Sequence, residues 1–369
     1  MAGKKSDRLT SILVVLPSIF LLAIFVYGFI GWTAWTSMTN SNAMQRLSGA
    51  SADYIGFQNY ENLFTGALNN RFRIDMVNTV FFTLLFISIC LILGILLAVL
   101  LDQNIRGEGI FRTIFLFPMA LSFVVTGVAW KWLFNPDAGI NALPSIIGLP
   151  NSNFRWFISE DRLLEFNWQN VFQILAVIIL GIIFLVALWQ WVKTRSNIAM
   201  FIGAAALLAN TWITLTGAEA LLTSPSEPQG FNVALISVVV AAGWQMSGYT
   251  MAMYLAGLRG IPEELREAAR VDGASEIGVY RHVILPLLAP ITLSAIIILG
   301  HISLKIFDLV YVLGGGDNLF IDMPGLNMFF TTFRGQEFGK GAAIAMIMLI
   351  LVAMVIVPYL VSSLKSDEE

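Results

Sequence analysis

The sequence predicts an all-α polytopic membrane protein of about eight spanning helices. Three observations carry this. Of 369 residues, 57% are hydrophobic and only 12% charged, about half the charged share of a soluble domain, and mean hydropathy is +0.78. Apolar runs near 20 residues recur along the chain, the length a helix needs to cross a bilayer. Finally, residues 263–286, reading EELREAARVDGASEIGVYRHVILP, form a 24-residue polar island between apolar runs. A segment this polar belongs in water at a membrane face.

Lys4, Lys5 and Arg8 precede the first run, from about Ile12 to Trp32. The run is too long for a signal peptide, and aromatic Trp32 and Trp35 follow instead of small residues, so it reads as an uncleaved spanning helix. The expected spans are 12–35, 77–101, 113–134, 171–192, 198–217, 232–258, 287–310 and 340–362. Eight crossings put both termini on one side. With that side inside, the inner segments hold twelve Lys and Arg and the longer outer segments eight, which places both termini and the island in the cytoplasm. Trp32, Trp35, Trp130, Trp132, Trp189 and Trp191 fall near span ends, as interfacial anchors do. The outer segments 36–76, 135–170 and 311–339 are plain connections, or surfaces that cap the pore or touch an external partner.

Other classes find little support. A net charge of -3 does not imply nucleic acid. Cys90 is the sole cysteine, and His282 and His301 are the only histidines, so neither a disulfide framework nor metal-ligand spacing exists. Gly339-Lys340-Gly341 lacks the spacing and hydroxyl of a phosphate-binding loop. ATP-driven work would therefore need another chain. No nucleophile–base pair supports an intramembrane enzyme.

The island encodes its own shape. Pro262 fits the first helical position, and Glu263 and Glu264 suit the positive end of the helix dipole. A helix is expected to about Asp272, with Gly273 as a left-handed cap. Leu265, Ala268, Ala269 and Asp272 share one face, the alanines making a shallow surface, with Glu267 and Arg270 beside it to pair across an interface. A second amphipathic segment, Ser275 to Ile284, returns the chain to the membrane at Pro286. Such a knob can pass a rigid-body push into the adjoining spans.

Glu267-Ala268-Ala269, three residues, Gly273, then Val283, Ile284, Leu285 and Pro286 resemble the EAA loop of ABC importer permeases, with Val283 where that family has Ile. Ala256-Gly257-Leu258, Ile261 to Leu265 and Arg270-Val271-Asp272-Gly273-Ala274 resemble the carbohydrate-importing branch. Ile55-Gly56-Phe57-Gln58-Asn59-Tyr60, Asn78-Thr79, Trp132 to Pro136 with Gly139-Ile140-Asn141, and Phe307-Asp308 before Gly314-Gly315-Gly316 agree with it. The long first outer loop resembles the larger permease of maltose importers. The resemblance implies a type I ABC importer transmembrane fold and ATPase coupling through Glu267, Ala268, Ala269, Arg270, Asp272, Gly273, Leu285 and Pro286. Two features depart from the family. Asp317 follows Gly316 where Gly-Gly-Pro is usual. Residues 151–231, with two apolar runs, have no counterpart in the six-span pattern and are expected to form a peripheral helical hairpin.

Polar groups at membrane depth normally face a cavity or the bundle interior, and sugars favour aromatic faces with hydroxyl and amide partners. The resemblance places Trp244, Gln245, Met246, Tyr249, Leu299, Ile302, Ser303 and Ile306 along the substrate path. His301, Lys305 and Asp308 lie at i, i+4 and i+7; Lys305 and Asp308 form a structural salt bridge or part of that path. The expected organisation is an N-terminal span and outer loop (1–76), a transmembrane domain (77–362) holding the insertion, and a cytoplasmic tail (363–369). The function expected is the permease subunit of an ATP-driven importer moving a sugar across a bacterial or archaeal inner membrane. The partners implied are a second permease, two ATPase copies that hold ATP and Mg2+, and an extracytoplasmic solute-binding protein, with no cofactor on this chain. A polyol or glycerol phosphate is the alternative solute. A proton-coupled secondary transporter using His301, Lys305 and Asp308 is the rival class, though no internal repeat supports it.

Overall fold

The computed structural model describes residues 14–103, 105–216 and 225–366. Lys4, Lys5, Arg8 and Ile12, the last residue of the fifth expected span and tail residues 367–369 lie outside them. Shorter turns aside, the helices are α1 (Val14–Ser37), α2 (Asn70–Asp102), α3 (Glu108–Leu116), α4 (Phe123–Leu133), α5 (Val171–Thr194), α6 (Asn197–Thr216), α7 (Leu235–Gly260), α8 (Glu263–Val271), α9 (Glu276–Leu287), α10 (Ala289–Leu304), α11 (Asp308–Gly314) and α12 (Phe338–Ser366). Strands β1 (Arg162–Asn167) and β2 (Pro228–Asn232) pair antiparallel. That ribbon is an addition to the expected all-α fold.

The elements α1, α2, α5, α6 and α12 are long and apolar enough to cross a membrane by themselves. Two further expected spans involve a corner. The run 113–134 turns by 101° between α3 and α4. Pro118 lies in the tight turn before the corner, Leu121 is extended, and Ser122 caps α4 by accepting from the Val125 amide at 3.2 Å. The run 287–310 begins at a 63° corner between α9, which the sequence places in the polar island, and α10, with Pro286 and Pro290 flanking the corner. It also stops early: α10 ends at Leu304, and Lys305 to Phe307 separate it from α11. The remaining expected span, 232–258, is α7, a continuous 26-residue helix whose hydropathy Gln245, Ser247, Tyr249 and Thr250 dilute.

The chain forms two compact units, one of Met1–Glu61 with Pro324–Glu369, the other Asn62–Met323. In the first, α1 packs against α12. Asn59 holds the turn after α1 by donating to the Ser37 and Thr39 carbonyls, both at 2.8 Å. The Tyr60 hydroxyl meets Ser37 Oγ at 2.6 Å. Gly56 sits at φ +61°, a conformation that favours glycine. These contacts give the Ile55–Tyr60 motif a structural role.

In the second unit α2 and α7 form the centre. A Cβ on Gly94 would stand 2.3 Å from Thr250 Oγ1, so glycine sets how closely the two helices approach. Thr250 also donates to the Cys90 carbonyl at 2.7 Å. Towards the coupling loop, Ala98 and Leu101 of α2, Met251, Tyr254, Leu255 and Leu258 of α7, and Val279 and Ile284 of α9 bury into one apolar cluster. Helices α5 and α6 pack on each other and expose most of their apolar surface otherwise. The ribbon closes the base of this hairpin, through Arg162 opposite Asn232 and Asn167 opposite Pro228.

The opposite end of α2 carries a polar clamp. Fully buried Arg73 makes a bidentate pair with Glu227 and donates to the Gly66 carbonyl at 2.8 Å. Arg71 pairs with buried Asp322. Asn78 donates to the Asp322 carbonyl at 3.0 Å and accepts from Asn232 at 2.7 Å. Asn141, in the loop after α4, donates to the Pro136 and Phe154 carbonyls and accepts from Trp156 Nε1 at 2.9 Å. The motif asparagines are thus loop organisers.

Candidate functional site: a coupling loop

Helix α8 runs Glu263–Val271, directly after Pro262, which stands at the cap in extended conformation. It is amphipathic, with acidic Glu263 and Glu264 in the first turn and basic Arg270 in the last, matching the helix dipole. Gly273 ends it at φ +84°. The Gly273 amide donates to the Arg270 carbonyl and the Ala274 amide to the Ala269 carbonyl, both at 3.0 Å, satisfying groups that a helix end would strand. Ser275 then caps α9 by accepting from the Gly278 amide at 3.2 Å. Both turns are encoded by the residues that occupy them.

The outward face differs in detail from the expected one. Leu265, Ala268, Val271, Asp272 and Ile277 are exposed, and Ala269 is half-buried against the apolar cluster. Val271 at 86% and Ile277 at 80% exposure extend the apolar patch beyond the residues the motif supplies. Glu267 is exposed and has no ion pair among the described residues. Arg270, expected to reach across an interface, is instead engaged within the loop. Its Nε donates to Glu276 at 2.8 Å and its Nη1 to Glu263 at 3.3 Å. The bond from Arg270 holds the Glu276 carboxyl below its ordinary range, and the same contact raises Arg270. Leu285 and Pro286 lie at the exposed end of α9, before the corner into α10.

Behind the helix lies a polar cavity of about 810 Å³ lined in part by Asp102, Arg259, Glu263, Arg266 and Tyr280. Arg266 dominates it. Nη1 donates to Asp102 at the end of α2, and Nη2 to the Leu258 carbonyl near the end of α7, both at 2.9 Å. Arg259 joins Glu108 of α3 at 2.6 Å. Asp102, Glu108, Arg259 and Arg266 were given no site role from the sequence. The available signal was Asp102, a lone acid closing a long apolar run.

The eight substrate-path residues are less coherent in this single chain. Trp244 is 39% exposed and meets Trp130 edge-on at 5.8 Å. Gln245 is buried; its amide donates to the Leu121 carbonyl at 2.7 Å, bracing the corner between α3 and α4, while its Oε1 is buried with no protein partner among the described residues. Met246 is buried and Tyr249 half-buried. Leu299, Ser303 and Ile306 are buried and Ile302 half-buried. The Ser303 hydroxyl accepts from Thr83 at 2.9 Å and donates to the Gly300 carbonyl at 2.8 Å, so its bonds are used inside the chain. Lys305 and Asp308 are exposed and form no ion pair among the described residues; the helix expected to align them ends at Leu304.

Residues 90–366 match the family described as binding-protein-dependent transport system inner membrane component. A probable ABC transporter permease protein of Pyrococcus horikoshii is 32% identical over 361 residues, covering 97% of this chain and 96% of that protein. The xylose/arabinose import permease protein of Haloferax volcanii is 31% identical over 350 residues, covering 92% and 83%. Among solved structures, a chain of a bacterial alginate ABC transporter, in complex with alginate pentasaccharide-bound periplasmic protein, superposes with a TM-score of 0.61. That chain is 18% identical, with 96% of this chain and 94% of that one covered; the likeness is one of fold.

Proposed function

This chain belongs to the family of binding-protein-dependent transport system inner membrane components, and we propose that it is the permease subunit of an ATP-driven sugar importer. The observation that carries the proposal is the loop 263–286, a short helix bounded by locally encoded turns and anchored on its inner side by Arg266 and Ala269, exposing Leu265, Ala268 and Val271, with Ile277 of α9, beside Glu267, which has no ion pair among the described residues. Apolar residues exposed next to a free charge are suited to a soluble partner. That partner is a cytosolic ATPase, two copies of which carry ATP and Mg2+, one docking here and one on a second, related permease. An extracytoplasmic binding protein delivers the solute. ATP closure draws the two coupling helices together and opens the path outward; hydrolysis resets it. This chain performs no covalent chemistry.

Both termini and the loop face the cytoplasm. Four arginines, Arg259, Arg266, Arg270 and Arg281, cluster at the loop. Lys193 and Arg195 sit over Trp189 and Trp191 at the end of α5, 5.0 Å from each ring. Positive charge with interfacial aromatics marks the inner side. The solute path runs by Trp244, Gln245, Met246, Tyr249, Leu299, Ile302, Ser303 and Ile306. The Haloferax relative makes xylose and arabinose the first sugars to test.

The test is purification of the chain from its native cells in mild detergent, with co-purifying proteins identified by mass spectrometry. Recovery of an ATPase, a second permease and a binding protein is expected, the last then being titrated with a sugar panel. Recovery of this chain alone, transporting in proteoliposomes without ATP, would overturn the reading.

A further inference from the structure

The coupling loop is covalently joined to α7 on one side and, through α9, to α10 on the other. Helix α2 is distant from it in sequence, yet ends against it. Beside the apolar packing of Ala98 and Leu101 on Val279 and Ile284, the charged contact to the coupling helix itself is Arg266, whose side chain is 12% exposed, with Asp102, 9% exposed. A planar guanidinium can hold two partners in fixed directions at once, and Arg266 does so, with Asp102 on α2 and the Leu258 carbonyl on α7. Its Nε is buried without a hydrogen bond, 3.7 Å from the Glu263 carboxylate. Three elements therefore meet on one side chain: α8 that carries it, the end of α7, and the end of α2.

From Asp102 the chain runs back as one unbroken 33-residue helix to Asn70, about 50 Å of rod at 1.5 Å per residue. Its far end is held as firmly as its near end. Arg73 is clamped to Glu227 and Arg71 to Asp322, and these partners begin the β2 ribbon and end the loop after α11. Asp102 thus receives at one end what the clamps distribute at the other.

We propose that Arg266 is a positioning residue that transmits displacement of the coupling helix into α2, and through α2 to the polar clamp at the opposite membrane face. This deepens the proposed function and rests on it. A buried ion pair resists separation because an unpaired charge left in its place is strongly unfavourable, so α2 has to follow when α8 moves. The covalent links through α7 and α10 do not by themselves require that.

The test uses the complete transporter in proteoliposomes, in a Cys90→Ala background with a cysteine at Leu68. Leu68 is 97% exposed, just before the outer end of α2. The readout is the maleimide labelling rate at position 68 from the outer side, with and without Mg-ATP and vanadate. In the parent protein, nucleotide is expected to change that rate. Arg266→Gln and Asp102→Asn should each abolish the change while ATPase remains bound. The exchanged pair Arg266→Asp with Asp102→Arg should restore at least part of it. Arg266→Lys keeps the charge but cannot reach both partners, and should restore little. If the single variants keep the nucleotide response at position 68, or the exchange restores nothing in an assembled complex, the transmission role is wrong while the importer reading stands. If no ATPase binds even the parent chain, both fail together.

Discussion

The most direct perturbation of the coupling loop is Gly273→Ala. A Cβ at Gly273 meets nothing within 4 Å, but the residue sits at φ +84°. The substitution therefore introduces no clash, only backbone strain, about 1–2 kcal/mol for an L-residue held in the left-handed region. That lowers the population of the native turn roughly 5–30-fold relative to unwound alternatives. The turn carries the amides of Gly273 and Ala274 back to the Arg270 and Ala269 carbonyls, so losing it frees the end of α8. The expected result is a several-fold fall in co-purified ATPase and in ATP-driven uptake, with normal membrane insertion. Gly273→Asn, which tolerates this conformation better, should fall less.

Two controls make the reasoning refutable. Gly107 has nearly the same geometry, φ +83° with nothing within 4 Å of a Cβ, but lies between α2 and α3. Gly107→Ala carries the same strain and should leave ATPase binding intact. Gly260 is equally open and has no positive φ, so Gly260→Ala should be silent. Full activity of Gly273→Ala, or an equal loss in Gly107→Ala, would show that the left-handed cap of α8 is not what matters.

Three further outcomes can be measured on the purified protein. Glu227→Gln leaves the fully buried Arg73 guanidinium with carbonyl partners alone; removing one member of a buried pair is unfavourable by about 3–5 kcal/mol, and a lower midpoint of thermal unfolding in detergent is expected, an unchanged one contradicting the clamp. Gly94→Val would drive a side chain into Thr250, 2.3 Å from its Oγ1, overpacking the α2–α7 contact by about 1–3 kcal/mol; Gly31→Val, where a Cβ meets nothing, is the matched control in the same thermal assay. Glu276 has its carboxyl held below the usual 4.5 by Arg270, so its support of the loop is full above that value and lost as pH falls through the lowered one. Protection of the amides in residues 263–278, taken as exchange relative to the intrinsic rate at each pH, should fall on acidification below 4.5, and Arg270→Gln should remove that pH dependence; an unaltered profile in the variant would separate the two groups.

What was legible in the sequence was what is encoded locally or by averaging. The apolar runs survive as helices because a bilayer-length stretch needs only composition. The coupling helix was legible because Pro262, Gly273 and Ser275 set its ends within a few residues of themselves. The corners were less so. Pro118 and Ser122 mark the break between α3 and α4, but within a continuous apolar run they read as tolerated interruptions of one span. The ribbon also escaped: in β1, Leu163 and Leu164 are exposed neighbours, and the register slips between Leu163 and Phe166, so no alternation signals a strand. Pairings such as Arg266 with Asp102 or Arg71 with Asp322 join residues 164 and 251 positions apart, and a single sequence holds no record of them.

The solute path shows the same limit at the level of single atoms. Spacing from the coupling loop gives depth along a helix, but depth leaves azimuth open, and azimuth decides whether a hydroxyl is available. Ser303 and Gln245 illustrate the difference. Ser303 has its hydroxyl committed to Thr83 and Gly300, which makes it a brace between α10 and α2 in this chain. Gln245 commits only its amide nitrogen, to the Leu121 carbonyl, and leaves Oε1 buried and unmatched. A buried acceptor without a donor is unfavourable by about 1–3 kcal/mol, which a sugar hydroxyl, a water or a partner's donor could recover. Of the polar residues on the proposed path, Gln245 therefore has the strongest physical reason to meet a ligand, and it stands next to Trp244, whose exposed face is the kind a sugar ring stacks on.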